Sequence, residues 1–598
     1  MFHIPPDAEW VEGRIRGLPP RWRHRLLRRW EQRHPSDRFG ANVELREATA
    51  ALLSVRIPLD ATDSEICDAA ERQSLRCLDR LALTVSVEQA RASMERVCAG
   101  QGITPPSQDM EDGPALARMC CPLWWRRKLR KHHGQTVEGA AVRLGYVNRF
   151  RDLYVSNERL AERTQQNKRN ASMLEATTAR NDEGQVFTLA ELAAKSTANR
   201  AIRRAELMTR IAGFERYADA EGDQGVFITL TCPSRFHRYM IVNDGKAAVP
   251  NPKYDEHETP ATAHKHLMRV WARSRAALKR QELRPYGFRI AEPQHDSTPH
   301  WHMLLFCPPA QVESLMDTLR RYALQDSGDE KGARQHRCDF KLIDKTRGTA
   351  AGYIAKYVAK NIDGEHVGDD LEGRPATESA KRVEAWCSTW RIRQFQQIGG
   401  PPVSVWRELR RIKHLPADAP AHLQRAHRAA NKQIQHDGGE TATVAWDAYC
   451  RAQGGIACGR SAAIKLTMRE TETLGRYGDA AQPRPVGVET WGLHDVDADG
   501  LAQQERHWQI ESERRVWTIE RAPVRRLDWR SFDAGSAKPA QPRTRVNNCT
   551  SHLRGTPREL GAPAFRHEGA ELHCSLKSPA SCSSSCISWQ PIRWDPGV

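Results

Sequence analysis

The spacing of apolar side chains changes character twice along the chain. In the first hundred residues they recur at three- and four-residue intervals, which predicts helices over residues 43–55 and 63–97. Pro105-Pro106-Ser107 and the acidic run Asp109-Met110-Glu111-Asp112-Gly113 mark a boundary, and helical patterning resumes over 137–218 with few turn signals. From Gly225 the pattern shortens. Val226-Phe227-Ile228-Thr229-Leu230-Thr231-Cys232 is a β-branched run stopped by Pro233-Ser234, and it predicts a strand. A helix follows over 260–283, opened by Pro260 and carrying Leu267, Val270, Trp271 and Leu278. Strands are expected at 287–292 and 300–306, a helix at 311–324, a strand at 338–343 and a helix at 349–361. That alternation predicts an α+β domain, an antiparallel sheet with flanking helices. Past Ala421 the chain reads as charged and mostly helical, with a short strand candidate at 515–519; beyond about residue 533 it is low in complexity, and disorder is expected. The domain expectation is therefore 1–110 helical, 111–211 a basic helical arm, 212–415 catalytic, 416–532 charged and mostly helical, and 533–598 a disordered tail.

At 598 residues the chain is too long for one ordinary core. Its 91 Lys and Arg exceed 74 Asp and Glu, a net charge of +17, which favours a polyanionic partner and points first to nucleic acid. A membrane partner is not expected, since the longest apolar runs, such as 226–230, fall far below the ~18 residues of a bilayer span. The start, Met1-Phe2-His3-Ile4-Pro5-Pro6, does not read as a secretory leader, so a cytoplasmic protein is expected. Fifteen cysteines include no CxxC pair, which weakens a zinc-finger reading, and His567, His573, Cys574, Cys582 and Cys586 in the tail lack paired ligand spacing. The basic, aromatic-rich segment from Trp124 and Trp125 to His132 and His133 suits phosphate contact with base stacking, or equally a solvated helix face.

The densest chemistry lies at Pro299-His300-Trp301-His302. Residues two apart on a strand share a face, so His300 and His302 point together, away from Trp301 and Met303. If the strand before them pairs as a hairpin through the turn at 293–299, Glu292 lies across from His300 and completes a two-histidine, one-carboxylate site. Such donors suit Mn²⁺ or Mg²⁺ bridging to a phosphate oxygen. His295, in the turn, is an alternative ligand. An HxH pair alone is a weak signal, but here a carboxylate stands at the hairpin position.

On a helical wheel for 349–361, Ala351, Ile354, Ala355, Val358 and Ala359 occupy one side, and Tyr353, Lys356, Tyr357 and Lys360 the other. A phenol is a poor nucleophile near neutral pH until its ionised form is stabilised, and nearby lysine charge favours that form. In-line attack on a phosphodiester would leave a phosphotyrosine that stores the bond for rejoining. A second tyrosine one turn away can serve a second transfer.

Taken in order, Phe227-Ile228-Thr229-Leu230-Thr231-Cys232-Pro233-Ser234, Pro299-His300-Trp301-His302 and Tyr353-Ile354-Ala355-Lys356-Tyr357 resemble the HUH rolling-circle replication endonucleases, and within them the bacteriophage replication gene A protein family. The likeness runs from about residue 40 to 415 and includes the stretch 397–410. It implies an HUH-type sheet and an enzyme that nicks one strand at a replication origin, joins the 5′ phosphate and leaves a 3′ hydroxyl for a polymerase. His300 and His302 correspond to metal ligands, with Glu292 as third, and Tyr353 and Tyr357 to nucleophiles; Lys356 and Lys360, on the same helix face, are expected from that face to assist them. Trp301 stands where the wider superfamily has a small aliphatic residue, and the tail after about residue 530 has no counterpart. The implied partners are origin duplex and single-stranded DNA in a bacterial host cell; with no GxxxxGK[ST] loop in the chain, a host helicase and polymerase are implied as well. Two alternatives stand beside this reading. One is a two-tyrosine rolling-circle transposase, which usually carries a cysteine-rich zinc module that is missing here. The other is a non-catalytic HUH-fold DNA-binding regulator, which would need neither the histidines nor the tyrosines. Conjugative relaxases place the tyrosine ahead of the histidines.

Overall fold

The computed structural model describes residues 7–52, 55–242, 247–364, 375–435, 442–495 and 503–521. Eight helices come first: α1 (Ala8–Ile15), α2 (Pro20–Arg33), α3 (Arg38–Ala50), α4 (Asp63–Ala82), α5 (Val87–Gly100), α6 (Asp112–Met119), α7 (Pro122–Arg143) and α8 (Asn157–Glu175). The helix expected over 63–97 is two helices. Ser86 starts the second by accepting from the Gln89 backbone at 3.2 Å, while Thr62 and Glu65 form a capping box at the start of α4. α7 belongs to two cores. Trp124, Trp125 and Leu129 pack with α4, α5 and α6, whereas Val137, Ala140 and Ala141 pack with α1, α2 and α3. The tryptophans of the basic segment are therefore core residues: Trp125 is fully buried and donates its indole N–H to the Met119 carbonyl at 2.7 Å. Base stacking by these rings is excluded by burial.

The helical pattern expected over 137–218 is interrupted. A loop over 144–156 precedes α8, and a hairpin of β1 (Thr177–Asn181) and β2 (Val186–Thr188) precedes α9 (Leu189–Ala194) and α10 (Arg200–Glu221). Asn181 closes that hairpin by accepting from the Glu183 and Gln185 backbone, and Gly184 supplies the positive φ of +80°.

The next segment contains β3 (Gln224–Leu230), a small hairpin of β4 (Tyr239–Val242) and β5 (Ala247–Pro250), then α11 (Pro260–Arg280), β6 (Tyr286–Pro293), β7 (Pro299–Cys307), α12 (Val312–Ala323), α13 (Ala333–His336), β8 (Cys338–Leu342), α14 (Ala350–Ile362), α15 (Ala376–Trp390) and β9 (Phe395–Ile398). Five strands form one antiparallel sheet in the order β8-β3-β7-β6-β9. Alternation along the strands gives it two buried faces. Ile228, Trp301, Met303 and Leu305 pack against Leu267 and Trp271 of α11, Leu315 of α12 and Trp386 of α15. Phe227, Phe288, Ile290, Leu304 and Phe306 face Phe214 of α10 and Ile354 and Val358 of α14. Each large side chain so buried contributes about 1.5–3 kcal/mol. The result is the expected α+β arrangement of helices on an antiparallel sheet.

Beyond β9 come α16 (Val403–Leu409), α17 (Ala421–Ala430), α18 (Trp446–Ala452), β10 (Ile464–Arg469), β11 (Arg484–Asp495), β12 (Gln503–Glu511) and β13 (Trp517–Arg521). The expectation of a mostly helical region over 416–532 is corrected here: two helices give way to a β10-β11-β12 antiparallel sheet. Val488 and Thr490 of β11 and Trp508 of β12 point inward while charged neighbours alternate outward. The charges mask a period of two. Trp446 and Tyr449 share a core with Trp406 and Phe214, so the packing that covers the central sheet continues past residue 415. β13, at the expected strand candidate, pairs with β1 from Thr177↔Arg521 to Asn181↔Trp517. The tail at 533–598 lies outside the described residues. Among the described residues, no helix is long and apolar enough to cross a membrane.

A candidate metal centre beside a tyrosine helix

The β6–β7 hairpin has the register that the sequence suggests, with Glu292 opposite His300 and Ile290 opposite His302. Parity then sends Glu292, His300 and His302 to the sheet face covered by α14. The connecting turn is held by Gln294 donating its backbone N–H to Thr298 at 2.7 Å, and by Asp296, which pairs with His237 at 3.0 Å. Nε2 of His300 and Nε2 of His302 lie 2.9 Å apart, and Oε2 of Glu292 is 3.9 and 3.7 Å from them. Among the described residues this is the one group of three His, Cys, Asp or Glu side chains whose ligand atoms converge.

Burial pushes both imidazoles down to about 3; His302 and Lys360 add to the effect on His300, and Lys360 to that on His302. Neutral rings are what a metal ligand requires. Thr229, paired opposite His302 in β3, sets its Oγ1 3.2 Å from Nδ1 and so holds Nε2 toward the cluster. Two neutral nitrogens and one carboxylate in a buried corner are compatible with a divalent cation.

α14 is placed against this corner by its own sequence. Thr349 caps it by accepting from the Gly352 backbone at 3.0 Å, and the Glu215 carboxylate accepts from Ala351 at 2.9 Å at the same end. Its Ile354 and Val358 are fully buried, which turns Tyr357 toward the hairpin. The Tyr357 ring packs against both Phe227, at 5.4 Å, and His302, at 4.2 Å between centroids, and those two rings stack on each other at 5.5 Å. Burial, joined by the Glu292 charge and opposed by Lys360, pushes its phenol up to about 12. The expected lysine-stabilised phenolate is thus corrected for this state, because desolvation outweighs the ammonium. Lys360 Nζ is 5.5 Å from the ring of Tyr154, which stacks in turn on His295 at 6.4 Å.

Glu292, His300, His302 and Tyr357 therefore come together, with Lys360 close enough to act on three of them. Tyr353 lies one turn back on the same helix, half-buried against the core, and Lys356 is exposed. His295 remains in the turn and is not one of the converging ligands. Asn361 escaped the sequence reading: its amide donates to Glu292 and, at 2.7 Å, to the Tyr357 carbonyl, while Gln394 donates to its Oδ1 at 3.3 Å. Its signal was a polar residue in the apolar stripe of α14. Thr229, on the same face as Phe227, and Tyr154, from the loop before α8, were missed too.

Comparison with known proteins places the chain. The bacteriophage replication gene A protein (GPA) family matches residues 53–365, a span that holds Glu292, His300, His302, Tyr353, Lys356, Tyr357 and Lys360. The replication gene A protein of Escherichia phage P2 is 35% identical over 468 residues, covering 77% of this chain and 58% of that protein. That of Escherichia phage 186 is 35% identical over 495 residues, covering 79% and 66%. A probable replication endonuclease from prophage-like region 2 of Salmonella typhi is 32% identical over 448 residues, covering 73% and 52%. The chain thus spans between about half and two thirds of the length of these relatives. No solved structure matches it. With more than half its length matched by the family and its hairpin histidines and paired tyrosines inside the match, the chain belongs to the bacteriophage replication gene A protein family.

Proposed function

We propose that this protein is a metal-assisted, site-specific single-strand DNA endonuclease and strand transferase of the HUH two-tyrosine type, which starts rolling-circle replication of a phage genome by nicking an origin. The observation that carries this reading is the contact of the Tyr357 ring with His302 in the converging cluster. The names of the relatives, replication proteins and replication endonucleases, support it, as does the net charge of +17.

Glu292, His300 and His302 would hold Mn²⁺ or Mg²⁺, which when bound supplies Lewis-acid polarisation of the scissile phosphate oxygen. The chain does the rest. Tyr357 Oη loses its proton and attacks phosphorus; the bond from phosphorus to the 3′ oxygen breaks, and that oxygen takes up a proton. One phosphodiester is exchanged for another, a 5′-phosphotyrosine, so the bond remains available for rejoining. Lys360 offsets the negative charge that develops on the phenol oxygen and the phosphate. Burial of the ring against Phe227 and His302 keeps competing water away from the attacking oxygen. Tyr353, one turn along, takes a second strand transfer. The free 3′ hydroxyl serves a host polymerase in the bacterial cell, and a host helicase opens the duplex. Residues 212–415 form the catalytic unit in this reading.

Incubating the purified protein with internally and 5′-labelled single strands of origin sequence, with and without Mn²⁺, tests the proposal. A protein-linked label that requires the cation and disappears in the double variant Tyr353→Phe/Tyr357→Phe is expected. A label that persists in that variant would overturn the nucleophile assignment.

A further inference from the structure

α11 buries His266, Leu267, Val270, Trp271, Ser274, Ala277 and Leu278, and this fixes which arc of the helix meets solvent. That arc exposes Lys265, Arg269, Arg273, Arg275, Lys279 and Arg280, and no Asp or Glu occurs between Pro260 and Arg280. None of the six cations forms an ion pair with a described residue; Arg273 donates only to the neutral Gln325, at 3.3 Å. Some arginines elsewhere are paired, Arg21 with Glu158, Arg91 with Asp112, Arg163 with Glu384 and Arg235 with Asp326 among them.

Cations in the last turn are explained by the helix dipole, which accounts for Lys279 and Arg280. It does not account for the rest. Lys265 with Arg269, Arg269 with Arg273 and Arg275 with Lys279 are like charges at i,i+4, and each pair works against the helix. An ordinary solvated face mixes signs, as α12 does with Glu313, Asp317, Arg320 and Arg321. A polyanion would relieve the repulsion on α11.

The stripe spans roughly 22 Å at 1.5 Å per residue, enough to follow several successive phosphates along a duplex edge. Its exposed apolar members are Met268, Ala272 and Ala276, and it offers no aromatic ring on which an unpaired base could stack. α11 also packs on the sheet face opposite the one that carries Glu292, His300 and His302. We infer that the outward face of α11 is a sequence-independent docking surface for the phosphate backbone of duplex DNA, held apart from the strand being cut. The choice of DNA as the polyanion rests on the function proposed above.

The test uses the full chain and the triple variant Arg269→Gln/Arg273→Gln/Lys279→Gln, with fluorescence anisotropy on a duplex and on a single strand of equal length between about 50 and 200 mM salt. Duplex affinity is expected to fall at least about tenfold, with the slope of log affinity against log salt reduced by about 2–3, one phosphate contact per cation removed. Affinity for the single strand and adduct formation on a short oligonucleotide are expected to stay unchanged. The charge-preserving variant Arg269→Lys/Arg273→Lys should bind duplex as the wild type does, which separates charge from folding. Unchanged duplex affinity and slope in the triple variant, or an equal loss on the single strand, would overturn the inference. If the wild type forms no tyrosine adduct but the triple variant still loses duplex binding, the enzymatic reading fails and the docking surface stands.

Discussion

The ring of Tyr357 lies against the imidazole of His302, with centroids 4.2 Å apart and planes inclined by 42°. Removing the phenol oxygen alone leaves this packing in place. Tyr357→Phe should therefore keep the fold within about 0.5 kcal/mol of wild type and cost about 10³-fold or more in covalent adduct formed on a labelled strand. Tyr353→Phe should spare that first adduct and impair the later transfer, measured as rejoined product.

Asn361 binds the carboxylate of Glu292 and the backbone of the tyrosine helix at once. Its loss should loosen the third ligand without removing any ligand. For Asn361→Ala, Mn²⁺ affinity measured by calorimetry is expected to fall about 10–100-fold, and added Mn²⁺ should restore adduct formation. Loss of adduct with unchanged Mn²⁺ affinity would show that the amide does not act through the metal site.

His302→Ala should abolish cleavage while leaving most duplex binding, since affinity for DNA comes chiefly from lysine and arginine contacts to phosphate. Parallel nuclease and anisotropy measurements separate the two. Equal loss of both would make the histidine a folding residue.

Glu138 of α7 is fully buried and accepts from the Ser156 backbone at 3.1 Å and from its hydroxyl at 2.6 Å; burial pushes its pKa up from 4.5 to about 7. Between those values the folded chain keeps a proton that the unfolded chain has released. Its contribution is therefore fully present below pH 4.5 and is lost as pH rises through 7, a change of roughly 3 kcal/mol. Urea denaturation across this window should show the decline in the wild type and a flatter profile in Glu138→Gln.

Gly287 of β6 has φ +148°, and a Cβ there would lie 1.9 Å from the Leu304 carbonyl oxygen of β7. Gly287→Ala meets backbone on one side and a forbidden conformation on the other, so a loss of about 3–5 kcal/mol is expected in urea unfolding. A loss under about 1 kcal/mol would mean that the hairpin can open to accept a methyl group.

The parts of the site that were legible in the sequence are those set by short-range periodicity. Two residues apart on a strand fixes the common face of His300 and His302, a tight hairpin fixes Glu292 opposite them, and the helical period separates Tyr357 and Lys360 from Ile354 and Val358. The illegible parts depend on distant segments. Tyr154 reaches Lys360 from a loop some two hundred residues earlier, and Gln394 reaches Asn361 from beyond α15. The tryptophans of α7 misled because a basic sequence surrounds rings that α4, α5 and α6 bury. In β11 and β12 the frequent charges hid the alternation that carries Val488 and Trp508 inward.

β1 and β13 pair although Thr178 and Glu520, which face each other, are 342 residues apart. A ribosome adding about 5–20 residues per second needs roughly 20 to 70 s to deliver the second strand after the first has emerged. During that interval one edge of β1 awaits its neighbour, while the hairpin that carries Glu292, His300 and His302 and the helix that carries the tyrosines have already left the tunnel. Assembly of the corner formed by Glu292, His300, His302 and Tyr357 can thus precede closure of the chain upon itself.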